Sequence, residues 1–276
     1  MTVPTDPPPV GGEIDLGAGE HRPPLARRRA GSSPFTPNRL LGLAIGFVFA
    51  GPAGFVVWRT LRLGSDLGDA LGEIPGPLWR TIQLSTLVSI TAAVLGTGLA
   101  WLTVRTDLPL RRFWRVALVL PLVLPSFVGA AAFIAGLAPG GIIHDAFELF
   151  GLTPPRRFRG LGASWLVLSA FTYPYVLLPV SARLASLRPS LEESSRLLGL
   201  SSSATFVRVT LPQLRSAILG GGLLVYLYTL SEFGAVQLLG FDTLTRVIYS
   251  SRQTNRALSF TSATVVLVLA LVVVAL

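Results

Sequence analysis

Charged residues fall in clusters along this chain, and the stretches between them are the length of a membrane crossing. Residues 40–58 lie uncharged between Arg39 and Arg59, residues 81–104 between Arg80 and Arg105, and residues 160–182 between Arg159 and Arg183. Residues 116–143 follow Arg115 without a charge, residues 216–241 are interrupted by Glu232 alone, and residues 257–276 are uncharged after Arg256. A helix needs about 20 apolar residues to cross a hydrocarbon core of ~30 Å. Barrel strands are about half as long and alternate in polarity. The pattern predicts an all-α membrane protein of about six transmembrane helices. The third is expected to end near Leu137, ahead of Pro139-Gly140-Gly141.

Residues 1–38 do not share this pattern. They hold 8 of the 21 prolines and the run Arg27-Arg28-Arg29, with no apolar periodicity. Such a segment buries too little apolar surface to offset its ordering entropy, so a disordered tail is expected there and a transmembrane domain over residues 39–276. The arginines set an orientation. With the N-terminus inside, the cytoplasmic side carries 14 of them, in the tail, at residues 105–115 and at residues 183–215, against 9 outside. The expected location is the cytoplasmic membrane, with the tail in the cytoplasm and membrane lipid around the helices.

Composition removes whole classes of chemistry. Only 13% of residues are charged and mean hydropathy is +0.62, against about 25% charged in ordinary globular domains. No Cys is present, which excludes disulfides and thiolate metal sites. All 23 basic residues are Arg, so a phosphate-binding loop ending in Gly-Lys is impossible and any ATP must be hydrolysed by another polypeptide. The two histidines, His21 and His144, are far apart in sequence, so no metal site or cofactor is expected in this chain. Nothing points to nucleic acid.

The connection between the fourth and fifth spans, residues 186–212, is longer and more patterned than a simple turn. Residues 186–200 read Ser-Leu-Arg-Pro-Ser-Leu-Glu-Glu-Ser-Ser-Arg-Leu-Leu-Gly-Leu. Ser190 and Glu193 have the S-x-x-E spacing of a capping box, with Pro189 just before. Leu191, Leu197 and Leu198 recur near helical spacing, and Gly199 sits where a left-handed helix stop is needed. A second short helix is expected from about Ser202 to Val209, ending at Leu211-Pro212. Two short helices bent at a glycine make a compact knob whose apolar ridge needs a docking partner.

This segment resembles the EAA loop of ABC importer permeases. Glu193-Ser194-Ser195, then Gly199, then nine residues to Val209-Thr210-Leu211-Pro212 follow that pattern, with Ser for both alanines and Val for Ile. Arg105-Thr106-Asp107-Leu108-Pro109, Leu120-Pro121, Leu124-Pro125-Ser126, Ser231-Glu232-Phe233-Gly234-Ala235-Val236, Thr243, Thr245 and Ile248-Tyr249 are similar to the iron(III)-type branch, in its first half. The resemblance implies a bacterial inner-membrane permease that is itself no enzyme. Its partners would be an ABC ATPase dimer docked on the loop, a periplasmic or lipid-anchored substrate-binding protein, and a second permease half. That half would lie on the same chain if this one is truncated, or on another subunit. ATP binding would draw the coupling knobs together and switch the pathway. Ferric iron is the implied substrate, with thiamine, sulfate and polyamines as alternatives.

Glu232 is the one ionisable side chain inside a span, where a charge costs about 3 kcal/mol. It is expected to line the pathway with Phe233 and Gly234, or to bond a neighbouring helix. The rival reading is a proton-coupled secondary transporter with Glu232 as relay. It accounts for the acid but not for the knob.

Overall fold

The structure, a computed structural model, describes residues 37–153 and 157–275. The tail expected to be disordered lies outside these residues, save that α1 (Pro37–Leu61) already includes positions 37 and 38. The chain divides into two units, residues 1–47 and 48–276. The described part of the first is the opening of α1; all contacts below belong to the second.

All regular structure among the described residues is helical. After α2 (Asp66–Glu73) the second span is α3 (Pro75–Arg105), and the last is α14 (Arg256–Ala275). The fourth is a single crossing, Gly160–Ser186, made of α7 (Gly160–Thr172) and α8 (Pro174–Ser186), and Ser202–Ser231 is likewise one long crossing. Those four helices are long and apolar enough to span a bilayer; α1 and the third segment complete six if each counts as one.

The third segment departs from the single helix expected. It runs as α4 (Arg111–Ala117), a tight turn at Leu120–Val123 and α5 (Ser126–Leu137), bent by 99°. Pro125 is the cause: a proline ring collides with the carbonyl four residues back and lacks an amide hydrogen. The chain instead leaves the helix at Leu124 (ψ 129°), stays extended through Pro125 (ψ 141°) and restarts at Ser126. Leu137 ends α5 as expected, and Gly140 (φ +79°) reverses the chain into α6 (Ile142–Leu149).

Helix α8 packs between α3 and α11 (Leu211–Ser231), and glycines decide how close they come. A Cβ on Gly96 would lie 2.8 Å from the Tyr173 carbonyl oxygen and the Leu177 amide nitrogen, and one on Gly221 would lie 2.8 Å from Val176 Cα. Val176 therefore touches two bare backbones, one from each neighbour. Leu84, Val88 and Ala92 of α3, Val180 and Leu184 of α8, and Leu214 and Val225 of α11 fill the surrounding core. Ser89 Oγ donates to the Gly222 carbonyl at 2.7 Å, tying α3 directly to α11.

Adding a methyl at these contacts separates packed helices, an overpacking effect of about 1–3 kcal/mol. Gly96→Ala and Gly221→Ala should each lower the thermal midpoint of the detergent-purified protein. Gly98 and Gly220, on the same helices, have nothing within 4 Å of an added Cβ. Gly98→Ala and Gly220→Ala should leave the midpoint unchanged or raise it, since Ala outranks Gly in a helix interior. Thermal unfolding of the four variants checks the contrast.

Candidate functional site

The patterned loop folds as a rigid corner. Helix α9 (Pro189–Leu197) ends in a Schellman turn: Gly199 N–H donates to the Arg196 carbonyl at 2.9 Å, and Leu200 N–H to the Ser195 carbonyl at 3.2 Å. Gly199 holds φ +87°, where a Cβ is disfavoured. Helix α10 (Ser202–Thr205) starts at once, with the Ser201 hydroxyl accepting from the Ala204 amide at 3.3 Å. Leu197 and Leu198 stand at the corner 89% and 86% exposed, beside exposed Leu191.

The capping box does not form. Pro189, with its fixed φ, suits the first helical position, so α9 opens there with Arg188 as N-cap and Ser190 falls inside the first turn. Ser190, Glu193 and Ser194 are exposed, and Glu193 caps nothing.

Glu192, which the loop pattern does not single out, is the acid of the loop that finds partners. Its Oε1 accepts from Thr210 Oγ1 at 3.2 Å and lies 3.2 Å from Arg105 Nη2, with both charged side chains under a fifth exposed. Buried Ser195 adds a second tie: its hydroxyl donates to the Glu192 carbonyl at 2.8 Å and stands within hydrogen-bond distance of Thr205 Oγ1 at 3.1 Å. The end of α3 is thereby fixed to α9, and α9 to the start of the fifth span. Arg111 supports the same end, donating from Nε and Nη2 to the Thr103 and Val104 carbonyls at 2.6 Å each. Glu192 and Ser195 share one helix face by their spacing, whereas Glu193 and Leu197 share the outer one. That periodicity was the available signal.

The second short helix does not stop at Pro212. It passes through a wide π turn, Phe206–Thr210, into α11, so that Ser202–Ser231 forms one rod. A proline here would strike the carbonyl four residues back in an α-helix; a π turn loosens that ladder and lets the rod continue. Val209 lies in the turn, its carbonyl accepting from Gln213 Nε2 at 2.7 Å, and Leu211 and Pro212 open α11.

At the far end of the rod, Glu232 stands at a break rather than inside a helix. Helix α11 ends at Ser231, Glu232 is extended, and α12 (Gly234–Leu238) follows. Glu232 is 8% exposed. Its Oε1 accepts the Ala235 amide and its Oε2 the Ser126 hydroxyl, both at 2.9 Å. One carboxylate thus takes a backbone amide at the start of α12 and the side chain of the residue that opens α5. A Cβ on Gly234 would lie 2.9 Å from Phe127 Cβ, so glycine is needed where the breaks meet. Phe233 packs on Tyr249 of α13 (Leu244–Ser251), ring centres 4.8 Å apart. Thr245 Oγ1 donates to the Glu232 carbonyl at 2.6 Å, and the Leu244 amide to Thr81 Oγ1 at 2.9 Å.

The loops gather at two ends of the bundle. Residues 105–115 and 183–215 meet at one end through Arg105 and Glu192. Arg80 meets Asp242 at 3.7 Å, and the Gly160 amide donates to the Leu239 carbonyl at 2.8 Å, at the other. Among the described residues one group of imidazole and carboxylates is close enough to hold a metal ion: His144, Asp145 and Glu148 of α6. No such cluster was expected from the sequence.

Residues 92–276 match the family model described as binding-protein-dependent transport system inner membrane component. The chain belongs to that family of ABC importer permeases. It is 33% identical over 231 residues to an Fe(3+)-transport system permease protein of Haemophilus influenzae, covering 83% of this chain and 41% of the relative. It is 30% identical over 164 residues to the molybdenum transport system permease protein of Escherichia coli K12, covering 58% of this chain and 70% of that one. The chain therefore spans less than half the length of the iron relative. A bacterial alginate ABC transporter, solved with its alginate-bound periplasmic protein, shares the fold with TM-score 0.65 at 16% identity over 86% of this chain and 90% of that chain.

Glu232→Leu leaves the Ser126 hydroxyl and the Ala235 amide without partners, each costing about 1–3 kcal/mol. Glu232→Gln retains one acceptor oxygen and should lose less. Ser126→Ala should be mild alone and add little when combined with Glu232→Leu, because the shared bond is already gone. Folded yield and thermal midpoint of the three single variants and the double variant read the coupling.

Proposed function

We propose that this chain is the membrane-embedded half of an ABC importer pathway, driven by a separate ATPase that docks on the α9–α10 corner. The observation that carries this reading is the corner itself. Exposed leucines are held on a Schellman turn, and the turn is continuous with a rod about 45 Å long at 1.5 Å per residue. An ATPase groove that receives Leu197 and Leu198 moves the corner, and the rod delivers that movement to the break at Glu232. Glu193, on the outer face, meets the ATPase surface. The Arg105–Glu192–Thr210 clasp lets the second span move with the fifth.

In this reading the N-terminus and the corner face the cytoplasm of a bacterial cell. A binding protein delivers cargo to the opposite end, and a second permease half completes the pathway. Glu232, Phe233 and Gly234 border that pathway at the joint of α5 and α12. The cargo is ferric iron, supported by the iron relative's match to 83% of this chain against 58% for the molybdenum relative. The proton-relay alternative loses its footing, since the Glu232 carboxylate already accepts two hydrogen bonds at helix ends.

A residue with a Cβ costs about 1–2 kcal/mol in the left-handed region, so Gly199→Val strains or opens the corner without touching the bundle core. It should leave a membrane-inserted protein that co-purifies poorly with its ATPase or fails to stimulate ATP hydrolysis. Leu197→Ser should lose ATPase binding with an unchanged thermal midpoint, and Glu193→Ala should lose less. Wild-type behaviour of both Gly199→Val and Leu197→Ser would remove the corner as the docking element. Uptake of radiolabelled ferric iron, molybdate and sulfate by vesicles holding the full assembly decides the cargo.

A further inference from the structure

Helix α6 turns back from α5 at Gly140 and Gly141, and its first two turns carry His144, Asp145 and Glu148. His144 Nδ1 lies 3.7 Å from Asp145 Oδ1 and 3.7 Å from Glu148 Oε1, and the three ligand atoms fall within 4.8 Å of one another. The imidazole side chain keeps only 18% of its exposure, and its Nδ1 is buried with no hydrogen-bond partner. At 3.7 Å neither carboxylate forms a hydrogen bond to it. A buried ring nitrogen facing two carboxylates and bonded to neither is short of one partner. The gap is a little wider than a bound ion needs: donors about 2.1 Å from a common ion stand roughly 3.0–3.4 Å apart at tetrahedral or octahedral angles, so the carboxylates must close by a fraction of an ångström to little more than one. Both carboxylates are about two-thirds exposed and free to turn inward.

The geometry points to a metal site on α6, formed by His144 Nδ1, Asp145 and Glu148, that takes a first-row divalent transition-metal ion. One imidazole with two carboxylates suits Mn, Fe, Co or Zn, whereas Ca and Mg favour all-oxygen shells. Three protein ligands leave coordination positions open, so the ion exchanges rather than staples the fold. The site depends on no reading of the cargo. On the orientation proposed above α6 lies on the outer side, and a binding measurement in detergent is indifferent to that.

The test is equilibrium dialysis of the full chain, purified without a histidine tag, against Zn2+, with Co2+ absorption as a second readout. One equivalent should bind, with excess Mg2+ or Ca2+ failing to displace it. His144→Ala and Glu148→Gln should each weaken binding by roughly tenfold or more, while His21→Ala binds as wild type. Elution profile and thermal midpoint without metal verify that the variants fold; Asp145→Asn serves if one does not. No saturable binding by the wild type, undiminished binding by His144→Ala, loss in His21→Ala, or displacement by Ca2+ would each overturn the site.

Discussion

Close backbone contact at Val176 organises this bundle. In lipid, apolar side chains gain little by leaving one apolar neighbour for another, so helices associate where small residues let backbones meet and dispersion contacts accumulate. Gly96 and Gly221 supply that closeness on two sides of α8. The consequence reaches the helix ends. With α3 and α11 both held against α8, the last turn of α3 brings Arg105 to the foot of the fifth span, where Glu192 receives it. The corner is clasped because the glycines fix where the helices run.

A second constraint follows from the same solvent. Backbone groups freed by a break have no water to bond, and side chains must serve them. The fold meets this by gathering its breaks. The break at Pro125 and the one at Glu232 stand face to face, and a single carboxylate serves the Ala235 amide of one while bonding the Ser126 hydroxyl of the other. Thr245 and Thr81 close the next turn in the same manner. Similar economy appears in the unbroken helices, where Thr81, Thr103 and Thr172 donate to their own carbonyls four residues back.

The spans, the Gly199 turn and the exposed leucine ridge were legible because each rests on a local rule: apolar run length, left-handed φ, helical spacing. The misread features rest on long-range partners. Glu193 stands out through the loop pattern, yet it is Glu192 that finds Arg105, 87 positions earlier in the sequence. Pro212 reads locally as a helix stop, but a π turn absorbs it and the fifth span continues. Glu232 reads as a charge inside a span because its break is stabilised by Ser126 and Thr245, neither of them a sequence neighbour.

These elements bear on how an importer of this kind transmits work. A helix resists stretching, whereas an irregular ladder or a hydrogen-bonded break yields. Within the proposed function the stiff parts are the clasped Schellman corner, helix α11 and the glycine-packed triad. The yielding parts are the π turn at the foot of α11 and the Glu232 joint at its head, and they occur in series along one path. The π turn sits between docking corner and bundle, where an irregular ladder permits a change of helical phase without loss of the covalent lever. Arg105 and Glu192 prevent that turn from absorbing the whole displacement, since they anchor α9 to α3 as well. Force applied at Leu197 therefore divides between two spans already joined at Val176, and the bundle responds as a unit until the strain reaches the break that one carboxylate holds closed.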